Sequence, residues 1–376
     1  MQVPVSRPHM GPAEISYVNK ALQENAVSGV YGEFIERFEA EFAEFCDSKY
    51  AISCSNGTTA LHLALVAAGV KEGDEVLVST LTNMASFFAV FYIGAKPIPI
   101  DIDLQTLTMD PKDLERKITS KTKAIMVVHL FGHPTDMDPV NELARKHKLL
   151  VFEDCAEAHG ATYKGKKVGS LSHAGGFSFF ANKVLTTGEG GMVTTDDPEI
   201  AKKARSLKAL AFGAASKYMH DDIGFNYRMT NLQAAIGCGQ MVVAERLIER
   251  RREISHFYST AFEKYSDHIA LPIQKPWAKS VYWMYHIVLR EHMVPKRKEI
   301  MMSLMSEGIE TREGFIPYNL QEIFLNRGWT RAEDCPNANK VAYASFYLPT
   351  GPDISQAELD YVADKLSLIL DKLVAK

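Results

Sequence analysis

The sequence predicts an α/β fold: a large region with a mostly parallel sheet flanked by helices, then a smaller α+β region. Three observations carry this. Between residues 50 and 152, short apolar runs alternate with stretches of helical spacing, the pattern of a parallel sheet covered on both faces. A long helical pattern from 231 to about 265 ends that alternation. The C-terminal remainder is mixed, with a strand-like run at 282–289 and helical segments at 296–307 and 356–374. A chain of 376 residues can bury one large core, or one large and one smaller domain. The boundary is expected inside the long helix, giving 1–250 and 251–376.

Taken in order, Phe34, Ile35, Phe38, Phe42 and Phe45 recur at helical spacing. A strand at 50–54 leads through Ser55-Asn56-Gly57-Thr58 into a helix at 59–68. Strands then fall at 75–78, 97–100, 124–128 and 149–152, and helices at 84–92, 111–118 and 139–147. Two further strands, 176–180 and 191–195, flank Lys183. The uncharged stretch 76–95 has the length of a bilayer span, but its Ser, Thr, Asn and Gly residues fit a buried strand followed by a buried helix.

Composition excludes several classes. Apolar residues at 46% and charged residues at 23% are those of a globular protein, and a net charge of −4 argues against a nucleic-acid partner. The one basic run, 250–252, sits between acids in a helical pattern. The start of the chain has no apolar leader segment, and no membrane association is expected. Five scattered cysteines without Cys-x-x-Cys spacing suggest reduced thiols in a cytoplasm and no metal site.

The chemistry concentrates around Lys183. It lies between the apolar run Phe177-Ser178-Phe179-Phe180 and Gly188-Glu189-Gly190-Gly191. An amine held there out of bulk water can lose its proton and attack a carbonyl, whereas a lone lysine in such a turn is more often solvated. Gly57 and Thr58 end a strand and open a helix, where free N–H groups hold a phosphate; a plain N-cap turn is the competing reading. Asp154 follows a strand and can pair with a protonated pyridine nitrogen, and Ser178 can add a hydroxyl. In an open parallel sheet such residues meet at the carboxyl ends of the strands. The ordered set reads as a pyridoxal 5'-phosphate (PLP) site.

The same residues resemble the DegT/DnrJ/StrS sugar aminotransferases, PLP enzymes of the aspartate aminotransferase (type I) fold. The resemblance runs over nearly the whole chain. It is carried by Ser55-Asn56-Gly57-Thr58-Thr59-Ala60-Leu61, Glu153-Asp154-Cys155-Ala156-Glu157-Ala158-His159-Gly160, the segment 177–191, and Gly224-Phe225-Asn226-Tyr227-Arg228-Met229-Thr230-Asn231. Val128-His129-Leu130-Phe131-Gly132-His133-Pro134 is similar to the perosamine synthase branch.

The resemblance implies that Lys183 carries the cofactor, Asp154 meets its ring nitrogen and Glu157 lies near its ring hydroxyl. It implies that Gly57, Thr58 and Ser178 hold the phosphate, and that Asn226 reaches the phosphate of a neighbouring subunit, making a homodimer with shared sites. Arg228, Arg312 and Tyr318 are expected near substrate. Two departures stand out. Asn83 occupies the place of an aromatic residue that stacks on the ring, with Phe87 and Phe88 nearby as packing residues or substitutes. The segment after Arg312 lacks a histidine of the perosamine branch.

The implied reaction moves the amino group of L-glutamate to a keto sugar, a GDP-4-keto-6-deoxymannose type, for surface glycan synthesis. An oxidised 3-deoxy-octulosonate, which would give an 8-amino-3,8-dideoxy sugar, is an alternative substrate. A non-catalytic sensor is an alternative of another class. Related sugar 3-dehydratases carry His where Lys183 stands, so Lys183 speaks against dehydration.

Overall fold

The computed structural model describes residues 1–213, 216 and 218–374. Its largest sheet has seven strands in the order Tyr50–Cys54, Gly191–Thr195, Ala174–Ser178, Leu150–Asp154, Thr122–Val128, Glu75–Ser79 and Lys96–Ile100. The last five run parallel to one another. Gly191–Thr195 is antiparallel to both its neighbours. The parallel strands end along one edge, and the loops leaving that edge carry the chemistry-bearing residues. Glu75–Ser79 and Ala174–Ser178 are buried along their whole length, as strands covered on both faces must be.

The expected boundaries move for local reasons. The helix expected at 59–68 is Gly57–Ala67. Asn56 caps it: its Oδ1 accepts from the Thr59 N–H at 2.9 Å, while the Asn56 N–H donates to Thr59 Oγ1 at 3.1 Å. This reciprocal pair brings Gly57 and Thr58 into the first helical turn. Asp154 is the last residue of its strand and not a residue beyond it. The strand expected at 176–180 is Ala174–Ser178, so Phe179 and Phe180 belong to the turn that carries Lys183. The stretch 76–95 divides into the strand Glu75–Ser79 and the helix Ala85–Phe91. No helix among the described residues is long and apolar enough to cross a membrane. Two of the helices additional to those the periodicity predicts are Pro12–Gln23 and Pro198–Leu207. Each begins with proline at its first turn, and Asp197 caps the second by accepting from Glu199 and Ile200 N–H groups.

The long helix is Asn231–Phe262. Its first half packs on the helix Phe34–Phe45, where a Cβ added at Gly237 would lie 2.6 Å from the Phe38 ring. Its second half buries Tyr258 and Phe262 with Ile300, Leu348 and Leu366. That second cluster backs a four-stranded antiparallel sheet ordered Ile269–Ala270, Tyr285–Leu289, Ser345–Leu348, Arg312–Glu313. Val3 joins the same cluster and bridges to Ile309. Each such fully buried large apolar side chain contributes about 1.5–3 kcal/mol. Both clusters therefore anchor the helix whose middle passes behind Lys183.

Candidate active site

A cavity of about 570 Å³ opens at the carboxyl edge of the large sheet. Gly57, Thr58, Asn83, Asp154, Glu157, Ser178 and Lys183 all line it. They come from separate loops, strand ends and helix starts, which the strand order brings together.

One wall is a cradle for an anion. The Gly57 and Thr58 N–H groups open the helix and have no backbone acceptor among the described residues. A Cβ on Gly57 would sit 2.6 Å from Ser178 Cβ, so glycine is what lets the Ser178 strand end approach the helix start. A Cβ on Gly191 would sit 2.2 Å from the Asn56 carbonyl, which gives that glycine the same role one strand over. Two N–H groups and the hydroxyls of Thr58 and Ser178 thus suit a phosphate. The residues present fit PLP on this count.

The floor holds an amine between two acids. Lys183 Nζ lies 3.8 Å from Glu157 Oε1 and 4.0 Å from the centroid of the Trp283 ring. Burial lowers the Lys183 pKa, opposed by the charges of Glu157 and Asp154. Glu157 is pushed up to about 7 by burial, against the pull of Lys183 and a hydrogen bond from the Phe131 N–H at 2.9 Å. Phe131 delivers that N–H from a left-handed conformation, φ +52°. Burial also raises the Asp154 pKa, and two donors hold it back: Ser86 Oγ–H to Oδ2 at 2.7 Å and the Ala156 N–H to Oδ1 at 3.1 Å. An amine with weakened proton affinity and a carboxylate held ready for a cationic ring nitrogen are what the cofactor's chemistry needs.

Sequence reasoning missed Ser86, Trp283 and Tyr347, and gave Phe131 and Phe315 no role of their own beyond the segments that contain them. Trp283, Phe315 and Tyr347 line the cavity from the C-terminal part of the chain. Phe131 and Phe315 rings lie parallel, 5.6 Å apart, behind Glu157. Nothing local in the sequence marks Trp283 and Tyr347, because they meet the site only through tertiary packing. Ser86 lies in the helix just after Asn83, and only the fold aims its hydroxyl at Asp154.

Other expected residues lie outside the cavity lining. Asn226 is exposed and bridges to Ala209. Arg228 is half-buried beside Gly29. Arg312 is exposed on an edge strand, 2.5 Å from Glu310, and is paired in register with Tyr347. Tyr318 is buried at 1% exposure, its ring stacked on Phe87 at 4.1 Å, so it faces the core and not the cavity. Phe87 is thereby a packing residue, and neither it nor Phe88 lines the cavity.

His129, Glu153 and Cys155 cluster beneath the floor, all buried. The lone pairs there are in use: His129 Nδ1 accepts from the Thr135 N–H, leaving Nε2–H to donate to Glu153 at 2.9 Å. Glu153 also accepts from Gly169 and Leu171 N–H groups and the Ser172 hydroxyl. His129 and Glu153 thus form a closed hydrogen-bond network that fixes the Asp154 strand from behind.

Comparison with known proteins agrees with this geometry. The DegT/DnrJ/EryC1/StrS aminotransferase family model matches residues 8–367. The chain is 41% identical to the GDP-perosamine synthase of Caulobacter vibrioides over 98% of each protein. It superposes on the aminotransferase from Psychrobacter cryohalolentis with a TM-score of 0.93 and 33% identity, covering 98% of this chain and 99% of that one. A putative sugar aminotransferase from Streptococcus pneumoniae in its PLP form gives a TM-score of 0.93 at 26% identity over 99% of each. The architecture is the type I fold of PLP aminotransferases, and the chain belongs to the DegT/DnrJ/EryC1/StrS aminotransferase family.

Proposed function

We propose that this PLP-dependent sugar aminotransferase transfers the amino group of L-glutamate to a nucleotide-linked keto sugar of the GDP-4-keto-6-deoxymannose type. The observation that carries the reading is the Lys183 amine, buried between Glu157 and Asp154 in the same cavity as the open helix start at Gly57. The similarity to GDP-perosamine synthases supports the nucleotide-sugar substrate. Neither the octulosonate substrate nor the sensor role is favoured by the relatives.

PLP supplies an aldehyde that condenses with amines and a ring that accepts electrons. The chain's own groups do the rest. Gly57, Thr58 and Ser178 would hold the phosphate. Asp154 would pair with the ring nitrogen and favour its protonated form, and the Ser86 hydroxyl supports the Asp154 anion. Lys183 Nζ takes the proton from the α-carbon of the amino donor and, in the second half, gives one to the former keto carbon of the sugar. Glu157, its pKa pushed up to about 7 by burial, would face the ring hydroxyl. Trp283, Phe315 and Tyr347 exclude water from the amine.

The working unit in this reading is a homodimer in which Asn226 reaches across to the partner's phosphate site. Tyr218, Met219 and Ile223, exposed on the same segment, support a covered surface there. Arg228 and Arg312 are kept as substrate-side residues at the rim. The division 1–250 and 251–376 is retained as a proposal for the two domains. Five free, buried cysteines accord with a cytoplasmic location.

The test is the visible and near-ultraviolet absorbance of the PLP-loaded protein. L-Glutamate should replace the visible band with one in the near ultraviolet, and GDP-4-keto-6-deoxymannose should restore it. A band unmoved by glutamate would refute the donor, and one not restored by the sugar would refute the acceptor.

A further inference from the structure

Arg251 is among the largest fully buried side chains, 1% exposed, in the middle of the helix Asn231–Phe262. No carboxylate pairs with it among the described residues. Instead its guanidinium holds three backbone carbonyls. Nη1 donates to Trp283 O at 2.6 Å and Thr350 O at 3.1 Å, and Nη2 donates to Lys183 O at 3.3 Å. The neighbouring carbonyl is held too, since Trp283 Nε1 donates to Asn182 O at 2.8 Å. Two successive carbonyls of the lysine-bearing turn are therefore gripped from outside it, and Trp283, whose ring faces the amine, is itself gripped by Arg251.

Burying a guanidinium without a counter-ion is costly, and an apolar side chain of similar length would pack at less cost. Fold stability alone does not account for this choice. We propose that Arg251 is a positioning residue for Lys183, acting through the Lys183 and Trp283 carbonyls that its guanidinium holds. The proposal rests on the reading of Lys183 as the reactive amine. A planar fork suits the task, because it binds several acceptors in fixed directions where an ammonium binds as a point. Its charge acts in the same sense. Lys183 is faced by Glu157 and Asp154, by the Trp283 ring, by a buried His159 whose pKa is pushed down to about 3, and by Arg251. Of these Arg251 carries the positive charge that disfavours a second one on the amine. Burial lowers its own pKa to about 10, so it stays charged at neutral pH.

Arg251→Met and Arg251→Lys, each loaded with PLP, test this by two readouts besides turnover. The first is the midpoint of the pH titration of the visible band; the second is the single-turnover rate with L-glutamate. Arg251→Met should raise the midpoint by about one pH unit, the size of a neighbouring-charge effect. It should also slow the half-reaction by roughly 10- to 100-fold, as a displaced catalytic group does. Arg251→Lys should keep the midpoint and still slow the half-reaction, because it retains the charge and loses the fork. If Arg251→Met does not fold, Arg251→Lys carries the test: a wild-type midpoint with a slowed half-reaction supports the positioning role, and wild-type values of both overturn it. Variants that lose urea stability but keep wild-type midpoint and rate would overturn the proposal and leave Arg251 a structural residue. A wild-type protein with no visible band in excess PLP would overturn the reading of Lys183 itself, and this proposal with it.

Discussion

Replacing Ser86 with alanine should weaken cofactor binding although Ser86 does not line the cavity. Its hydroxyl is 2.7 Å from Asp154 Oδ2, and Thr82 Oγ1 lies 3.0 Å behind it. With one proton each, the chain runs Thr82 to Ser86 to Asp154, and both ends are buried. A hydrogen bond to a charged group is worth about 1.5–3 kcal/mol, so the Asp154 anion should lose support of that order. The same loss applies to its pairing with a protonated ring, which predicts a roughly 10- to 100-fold weaker dissociation constant for PLP. The effect has a definite sign with pH. Burial already raises the Asp154 pKa, and the variant raises it further. The deficit should therefore be largest at acidic pH and shrink as pH rises through the shifted value. Thr82 also loses its acceptor, which should cost about 1 kcal/mol of stability. The assay is titration of the cofactor-free protein with PLP between pH 6 and about 8.5, beside urea unfolding. Thr260→Ala serves as control, since its hydroxyl donates to His256 O on an exposed helix face and is remote from the cavity lining. PLP affinity within twofold of wild type at every pH, together with the stability loss, would refute the argument that Ser86 sets the charge of Asp154.

Lys183→Ala should abolish turnover and the visible band while the protein stays folded, because a buried amine is a cost to folding and not a support; steady-state activity in that variant would remove Lys183 from the mechanism. In the cofactor-free protein Glu157 titrates near 7, against 4.5 as its ordinary value. The folded state thus binds a proton that the unfolded chain lacks between those values, so this group's contribution to stability falls as pH rises through that window, by at most about 3 kcal/mol. Glu157→Gln should flatten the slope in urea unfolding at pH 5 and pH 7.5; an unchanged slope would place the titration elsewhere. Gly57→Ala puts a Cβ 2.6 Å from Ser178 Cβ. It should cost about 1–3 kcal/mol in stability by overpacking, and weaken PLP at least tenfold by opening the cradle. Arg312→Ala breaks an exposed pair with Glu310, so unfolding should shift by no more than about 1 kcal/mol. A change should appear only in the KM for the sugar, and equal KM values would exclude Arg312 from substrate binding.

The alternation of apolar runs and helical spacing determined the sheet, because strand and helix periods are local properties of the chain. The elements expected between residues 50 and 152 all form, with ends displaced by caps such as Asn56 that a period does not register. The site residues legible beforehand, Gly57, Asp154, Ser178 and Lys183, sit at strand ends and the turns beyond them, where parallel topology forces convergence. Only the tertiary structure decided the rest. It placed Tyr318 in the core against Phe87, since burial depends on which surface a helix start meets and not on neighbouring residues. It brought Ser86 across 68 positions to Asp154 and Arg251 across 68 to Lys183. Those contacts are made by side chains whose partners are remote in the chain, and no local pattern encodes them. The sequence by itself determined which groups are offered for the chemistry. The fold determined the company they keep, and hence the direction in which their proton affinities shift.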